Sequence, residues 1–275
     1  MGCGSNVDLV IGGNYLGIDA GSGGLLQVGG SAGANGGEGG AVCPTDVPAL
    51  PSPAHRYAFD GVGGAVTDSF GGPDGKLVPP TGGTFDGKGM LTLDGKTGYV
   101  DLPNHLLNLL TDATFMTWTS WPRGGAGFTR IFDFGTGTAG EDPVGDSHGL
   151  HYVMTSPFTG WAQGSNLGVE VATPGTGVVQ IPSPKSIKDA AFHQVTVVFR
   201  SQARVELYLD AKLLNTVAIA DGKLTDIDDV NNWLGRSQTS SDNRYNGSYT
   251  EFRIYDRALD ECAIATALAA GPDSF

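Results

Sequence analysis

Twenty-nine Asp and Glu side chains and five histidines are the groups in this chain that could move protons or hold metal ions. Carboxylates at alternating positions of a strand share one face, where they can serve as acid and nucleophile. The nearest approach to that spacing is Asp226, Asp228 and Asp229, beside Asn231 and Asn232, in a polar stretch that reads as a solvated turn. The histidines are His55, His105, His148, His151 and His193. His148 and His151 are three apart, but no cysteine or clustered third ligand joins them, so the set falls short of a zinc site. Three glycine motifs fail on context. Gly29-Gly30-Ser31-Ala32-Gly33 matches the nucleophile-elbow pattern, yet Gly-rich sequence flanks it where a strand and a helix are needed. Gly135–Gly140 matches G-x-G-x-x-G after a strand, but Glu141-Asp142-Pro143 follows in place of a helix. Gly82–Lys88 resembles half a P-loop, with Gly89 where Ser or Thr should hold Mg2+.

The elements that would position any chemistry divide unevenly along the 275 residues. Residues 1–42 are mostly Gly, Ser, Asn and Ala, with apolar runs only at Asp8–Ile11 and Leu25–Val28. Such a tract cannot bury enough surface to offset its ordering entropy, so it reads as a flexible tether with a strand or two near its start. Beyond it, aromatic and β-branched residues recur in short runs separated by Gly, Pro, Asn and Asp, the pattern of an all-β sandwich. His55–Phe59, Met90–Leu93, Tyr99–Leu102, Ala113–Trp121, Thr129–Phe134, Leu150–Thr155, Val169–Val171 and Gly177–Ile181 read as strands. So do Phe192–Arg200, Arg204–Asp210, Lys212–Ile219, Asn232–Arg236 and Gly247–Tyr255. About a dozen strands suit two stacked antiparallel sheets. In the last strand Thr250, Phe252 and Ile254 alternate with Glu251, Arg253 and Tyr255, which assigns the first set to the core. Asn104–Leu110 reads as a helical turn or two, and Cys262–Ala269 as a short terminal helix. No run of 18 apolar residues is present, so no transmembrane helix is expected. The net charge of −13 repels phosphate backbones and argues against nucleic acid as a partner.

The stretch Asn232–Leu259, NWLGRSQTSSDNRYNGSYTEFRIYDRAL, resembles the closing segment of laminin-G-like jelly-roll domains, relatives of the concanavalin A-like lectins and glucanases. The likeness extends over Arg56–Ala269, through the turn-rich loop Asp60–Asp74 and the L-D-G … Y-V-D-L-P pattern at 93–103. It implies an all-β, two-sheet antiparallel β-sandwich (jelly roll, concanavalin A-like) over residues 43–275, with a short C-terminal helix. It also implies a structural Ca2+ held by Asp68, Asp74 and Glu251, although Thr250 stands where the family often has Asp. First and last strands of jelly rolls are commonly neighbours, which would let Cys43 and Cys262 bridge; three reduced thiols are the alternative. The bridge would stabilise by about 4–5 kcal/mol in the chain-entropy model and would indicate an oxidising compartment. Cys3 is then left over. Gly2-Cys3 looks like the end of a bacterial lipoprotein cleavage site, or is an incidental thiol.

Rim loops and the concave face are where such a sandwich holds ligands. Trp161 offers a ring for a sugar in one loop, and Asp242, Asn243, Arg244 and Tyr245 offer polar groups in another. The β-glucan-cutting relatives carry a Glu-x-Asp-x-Glu strand that this sequence lacks. The reading is therefore a non-catalytic, lectin-like, extracytoplasmic module, secreted or lipid-anchored through Cys3, that recognises glycan or a cell-surface protein. A glycoside hydrolase or lyase with displaced carboxylates, or a self-assembling surface protein, is the alternative.

Overall fold

The computed structural model describes residues 9–11, 14–16, 43, 49–122, 127–142, 149–161 and 166–274. Cys3, His148 and most of the Gly-rich tract lie outside the described residues. Residues Met1–Pro48 and Ala49–Phe275 are separate compact units. In the first, β1 (Leu9–Ile11) and β2 (Asn14–Leu16) pair antiparallel.

The second unit contains β3 (His55–Ala58), β4 (Ala65–Val66), β5 (Gly75–Val78), β6 (Gly83–Phe85), β7 (Leu91–Leu93), β8 (Tyr99–Leu102), β9 (Ala113–Ser120) and β10 (Phe132–Gly137). Then come β11 (Gly149–Ser156), β12 (Gly168–Thr173), β13 (Gly177–Pro182), β14 (Phe192–Arg200), β15 (Arg204–Leu209), β16 (Lys212–Ala218), β17 (Asn231–Leu234), β18 (Ser248–Tyr255) and the helix α1 (Glu261–Ala270). Two antiparallel sheets result. One runs β13-β12-β11-β10-β17-β8-β5-β4 and the other β16-β15-β14-β9-β18-β7-β6, with β3 paired on β18. The expected jelly-roll sandwich, with its terminal helix, is the observed architecture.

Period-two alternation sends one side of each strand between the sheets. There Phe115, Phe132, Phe134 and Phe252 form an aromatic cluster with centroids 5.2–5.7 Å apart. Burying each such side chain contributes about 1.5–3 kcal/mol. Phe252 and Ile254 are in this core, as the alternation requires, but Thr250 is not. The pairing of β18 with β9 slips between Tyr249 and Glu251, so Thr250 is a bulge residue and Tyr249 turns inward in its place.

Two further expectations are corrected. Residues 104–110 are a series of turns, not a helix, with His105 in the left-handed region at φ 64°. Asp229 is not in a solvated turn. It is fully buried, where its carboxylate accepts from Leu107 N at 3.0 Å and Asn232 Nδ2 at 2.7 Å. Burial holds its pKa above the ordinary value.

The outer face of the second sheet is closed by α1. Asp260 caps the helix by accepting from Ala263 N, and Gly271 ends it at φ 82°. Leu259, Ile264 and Ala267 cover Met116, Trp118, Val198, Tyr208 and Tyr255 of that sheet. No helix of the described residues covers the first sheet in this way.

Candidate functional site

On the outer face of the first sheet the strand registers align one residue from each of seven neighbouring strands. Gln180 pairs with Glu170, Glu170 with Met154, Met154 with Asp133, Asp133 with Trp233, Trp233 with Asp101, and Asp101 with Lys76. Directly opposed residues point to the same side of a sheet, so this is a continuous row, about 29 Å long at the usual strand spacing. A second row beside it carries Ala172, Tyr152, Gly135 and Asn231. Glycine is required at 135, because a Cβ there would lie 2.6 Å from Tyr152 Cβ and 2.2 Å from the His151 carbonyl oxygen.

Hydrogen bonds tie the two rows. Tyr152 Oη donates to Glu170 Oε1 at 2.6 Å, and Gln180 Nε2 donates to Glu170 Oε2 at 2.8 Å. Asp133 Oδ2 accepts from Arg130 Nε at 3.2 Å and Gln238 N at 3.0 Å, while its Oδ1 is buried without a partner. Arg130 also donates to Phe128 O at 2.6 Å and reaches Asp242 Oδ2 at 2.9 Å. Lys76 Nζ is 2.9 Å from Asp101 Oδ2. The guanidinium of Arg236 lies 3.9 Å over the Trp233 ring and 4.6 Å over Tyr99, and that of Arg244 lies 5.1 Å over Tyr99.

Burial sets the electrostatics of this face. It pushes Asp133 up to about 7, against the pull of Arg130 and of the Gln238 amide. Burial also raises Asp101, more than Lys76 lowers it. The Tyr152 phenol is raised, first by burial and then by its bond to Glu170. Arg244 is pressed down to about 10 by burial and by the like charge of Arg236.

The residues expected to bind ligand are only partly brought here. Trp161 is 8% exposed, and its ring fills the hollow at Gly168, where a Cβ would come within 2.8 Å of it; it presents no open ring to a sugar. Tyr245 is fully buried against Tyr249, with its hydroxyl 2.7 Å from Thr119 Oγ1. Asn243 is exposed and donates to Gly127 O, and Asp242 is held by Arg130 and Ser237. Arg244 is the member of that set that reaches the row's aromatic end.

The residues named for Ca2+ do not fit a cation. Glu251 is fully buried and accepts from Arg56 Nε at 2.8 Å, Arg56 Nη2 at 2.9 Å and Arg253 Nε. Asp68 Oδ1 accepts from Arg56 N and Phe70 N, and its Oδ2 lies 2.7 Å from His55 Nδ1. Asp74 accepts from Asp68 N at 2.8 Å. Guanidinium and backbone donors thus stand where the metal would have to bind, and no cluster of three acidic, His or Cys ligands occurs among the described residues. Cys43 and Cys262 are both disulfide-bonded, which with three cysteines in the chain makes them partners.

Asp133, Glu170 and Asp101 were not singled out by sequence. Each is an acid between two apolar residues within a strand, F-D-F, V-E-V and V-D-L. That pattern was the available signal.

A family model described as the concanavalin A-like lectin/glucanases superfamily, of laminin G type, matches residues 94–265. No curated protein matches the sequence. Among solved structures, the chain is similar to domain 4 of AbnA, an extracellular arabinanase from Geobacillus stearothermophilus in complex with arabinotriose. The identity is 20% and the TM-score 0.60, over 79% of this chain and 98% of that one. Trypanosoma rangeli sialidase in complex with sialic acid matches at 14% identity and TM-score 0.57, over 83% of this chain, which spans only 35% of the sialidase. The binding domain of Paraclostridial Mosquitocidal Protein 1 matches at 14% identity and TM-score 0.54, over 76% of this chain and 52% of that one. Such identities establish shared fold. With the family match covering more than half its length, the chain belongs to the laminin-G-like group of the concanavalin A-like lectin/glucanases superfamily.

Proposed function

We propose that this protein is an extracytoplasmic carbohydrate-binding module that holds a glycan along the outer face of the first sheet. The observation that carries this is the seven-residue row, which offers Gln180, Asp101 and Lys76 to solvent toward its two ends, with Glu170, Met154, Asp133 and Trp233 buried between them. Fixed carboxylate and amide groups match the alternating hydroxyls of sugars. The similar arabinanase domain holds arabinotriose, which supports the reading. The disulfide supports an oxidising compartment. Calorimetry against arabinotriose and a panel of oligosaccharides tests the proposal. Glu170→Gln is expected to weaken binding roughly tenfold or more, the worth of one charge-assisted hydrogen bond. Absence of binding to every glycan would overturn it.

One observation favours a hydrolase as the second reading. Asp133, raised to about 7, and Glu170 flank Met154 two strands apart, at a backbone spacing of about 9–10 Å. Inverting glycosidases pair a raised acid with a carboxylate at a similar separation. Reducing-sugar release abolished by Asp133→Asn would establish it.

A further inference from the structure

We propose that Arg244, with Arg236 beside it, forms an anion subsite at the Tyr99 end of the row that receives the carboxylate of an acidic glycan. The inference rests on the glycan-binding reading and adds the chemical class of the sugar.

Its basis is an uncompensated cation in an acidic protein. The chain has 16 Lys and Arg against 29 Asp and Glu. Arg56 and Arg253 meet Glu251, Arg130 meets Asp133 and Asp242, and Arg200 and Arg204 meet Glu206. Arg236 stands 3.8 Å from Asp142. No described carboxylate lies in ion-pair range of Arg244, and its Nη1 is buried without a hydrogen-bond partner. The largest charge effect on it is the like charge of Arg236, across the same Tyr99 ring, with the attraction of Asp94 weaker.

Burying a cation beside another cation is unfavourable unless an anion arrives to pair with it. The planar guanidinium fork fits a carboxylate in two parallel hydrogen bonds, and stacking on Tyr99 fixes its plane in advance. Tyr99 precedes Asp101 by two residues on β8, so the two side chains share the outer face. A glycan lying on the row would therefore bring a substituent of its end residue to these guanidinium groups.

Calorimetry with the full chain tests this, using trigalacturonate, its neutral methyl ester and a sulfated oligosaccharide. Trigalacturonate is expected to bind at least tenfold more tightly than the ester, and added salt to weaken only the acid. Arg244→Gln is expected to erase the preference by lowering the acid's affinity to that of the ester, and to melt at or above the wild-type midpoint, because it removes an unpaired charge. Equal affinities for acid and ester, unaltered in Arg244→Gln, would overturn the subsite and leave glycan binding standing. Binding of the sulfated sugar alone would also overturn it, as would a lowered midpoint with the preference intact, which marks a structural arginine. No binding of any sugar would remove both proposals.

Discussion

The two outer faces of this sandwich treat buried acids in opposite ways. On the helix-covered sheet, Glu251 is gripped by Arg56 and Arg253, Arg253 is stacked 4.7 Å over Trp118, and its Nη2 also reaches the carbonyl oxygens of Pro272 and Ser274 at 2.8 Å. On the other sheet, Asp133 is as deeply buried, yet one of its oxygens has no partner and it sits near neutrality. A saturated ion pair beneath a helix is architecture. A half-satisfied buried acid in a row of polar groups is held at some cost to stability.

Three measurements probe this contrast. The largest effect is expected from Glu251→Ala, which leaves two guanidinium groups without their carboxylate, Arg253 fully buried among them. Denaturant unfolding should show a loss of about 3–5 kcal/mol. A loss under about 1 kcal/mol would mean that the two faces are alike. The second is a pH effect. The folded pKa of Asp133 is raised to about 7 from an ordinary value near 3.9. Its contribution to stability is therefore fully present below about pH 4 and is lost as pH rises through about 7. Asp133→Asn should remove that slope from a plot of unfolding free energy against pH, while Glu251→Gln should leave it in place. An identical slope in Asp133→Asn would show that the carboxyl is already ionised at low pH. The smallest effect is expected from metal removal. With Asp68 and Glu251 bonded to backbone and guanidinium donors, chelator should leave the melting midpoint unmoved. A fall of about 2–4 °C, the size that about 1 kcal/mol gives in a domain of this length, would restore the Ca2+ site.

Much of the fold was legible because its strands announce themselves locally. Phe192–Arg200 and Arg204–Asp210 alternate cleanly, and β14 and β15 form over Phe192–Arg200 and Arg204–Leu209. The terminal helix, read as Cys262–Ala269, forms over Glu261–Ala270. The closing strand was read in the right place but with one phase too many, since a bulge leaves no mark on an alternation that remains regular on either side of it. The site was far less legible. Asp133, Glu170 and Asp101 lie in strands separated by 30 residues or more, and only the sheet order makes them neighbours. Trp161 misled for the same reason: a ring in a polar loop gives no hint that Gly168 has left a hollow for it. For Glu251, the resemblance supplied a carboxylate at the expected position, but not the two arginines that occupy it.

The extra residue at Thr250 has a consequence for how the layers are fastened together. By turning Tyr249 inward it lets the phenol donate to the Ile131 carbonyl oxygen at 2.7 Å, just ahead of β10 in the opposite sheet. That bond crosses the apolar interior, where most contacts are indifferent to sliding, and it is sensitive to direction. Deleting one residue here would swing Tyr249 to the outside while Phe252 and Ile254 stayed put. The two layers would then keep their oily filling and lose the pin that sets one against the other.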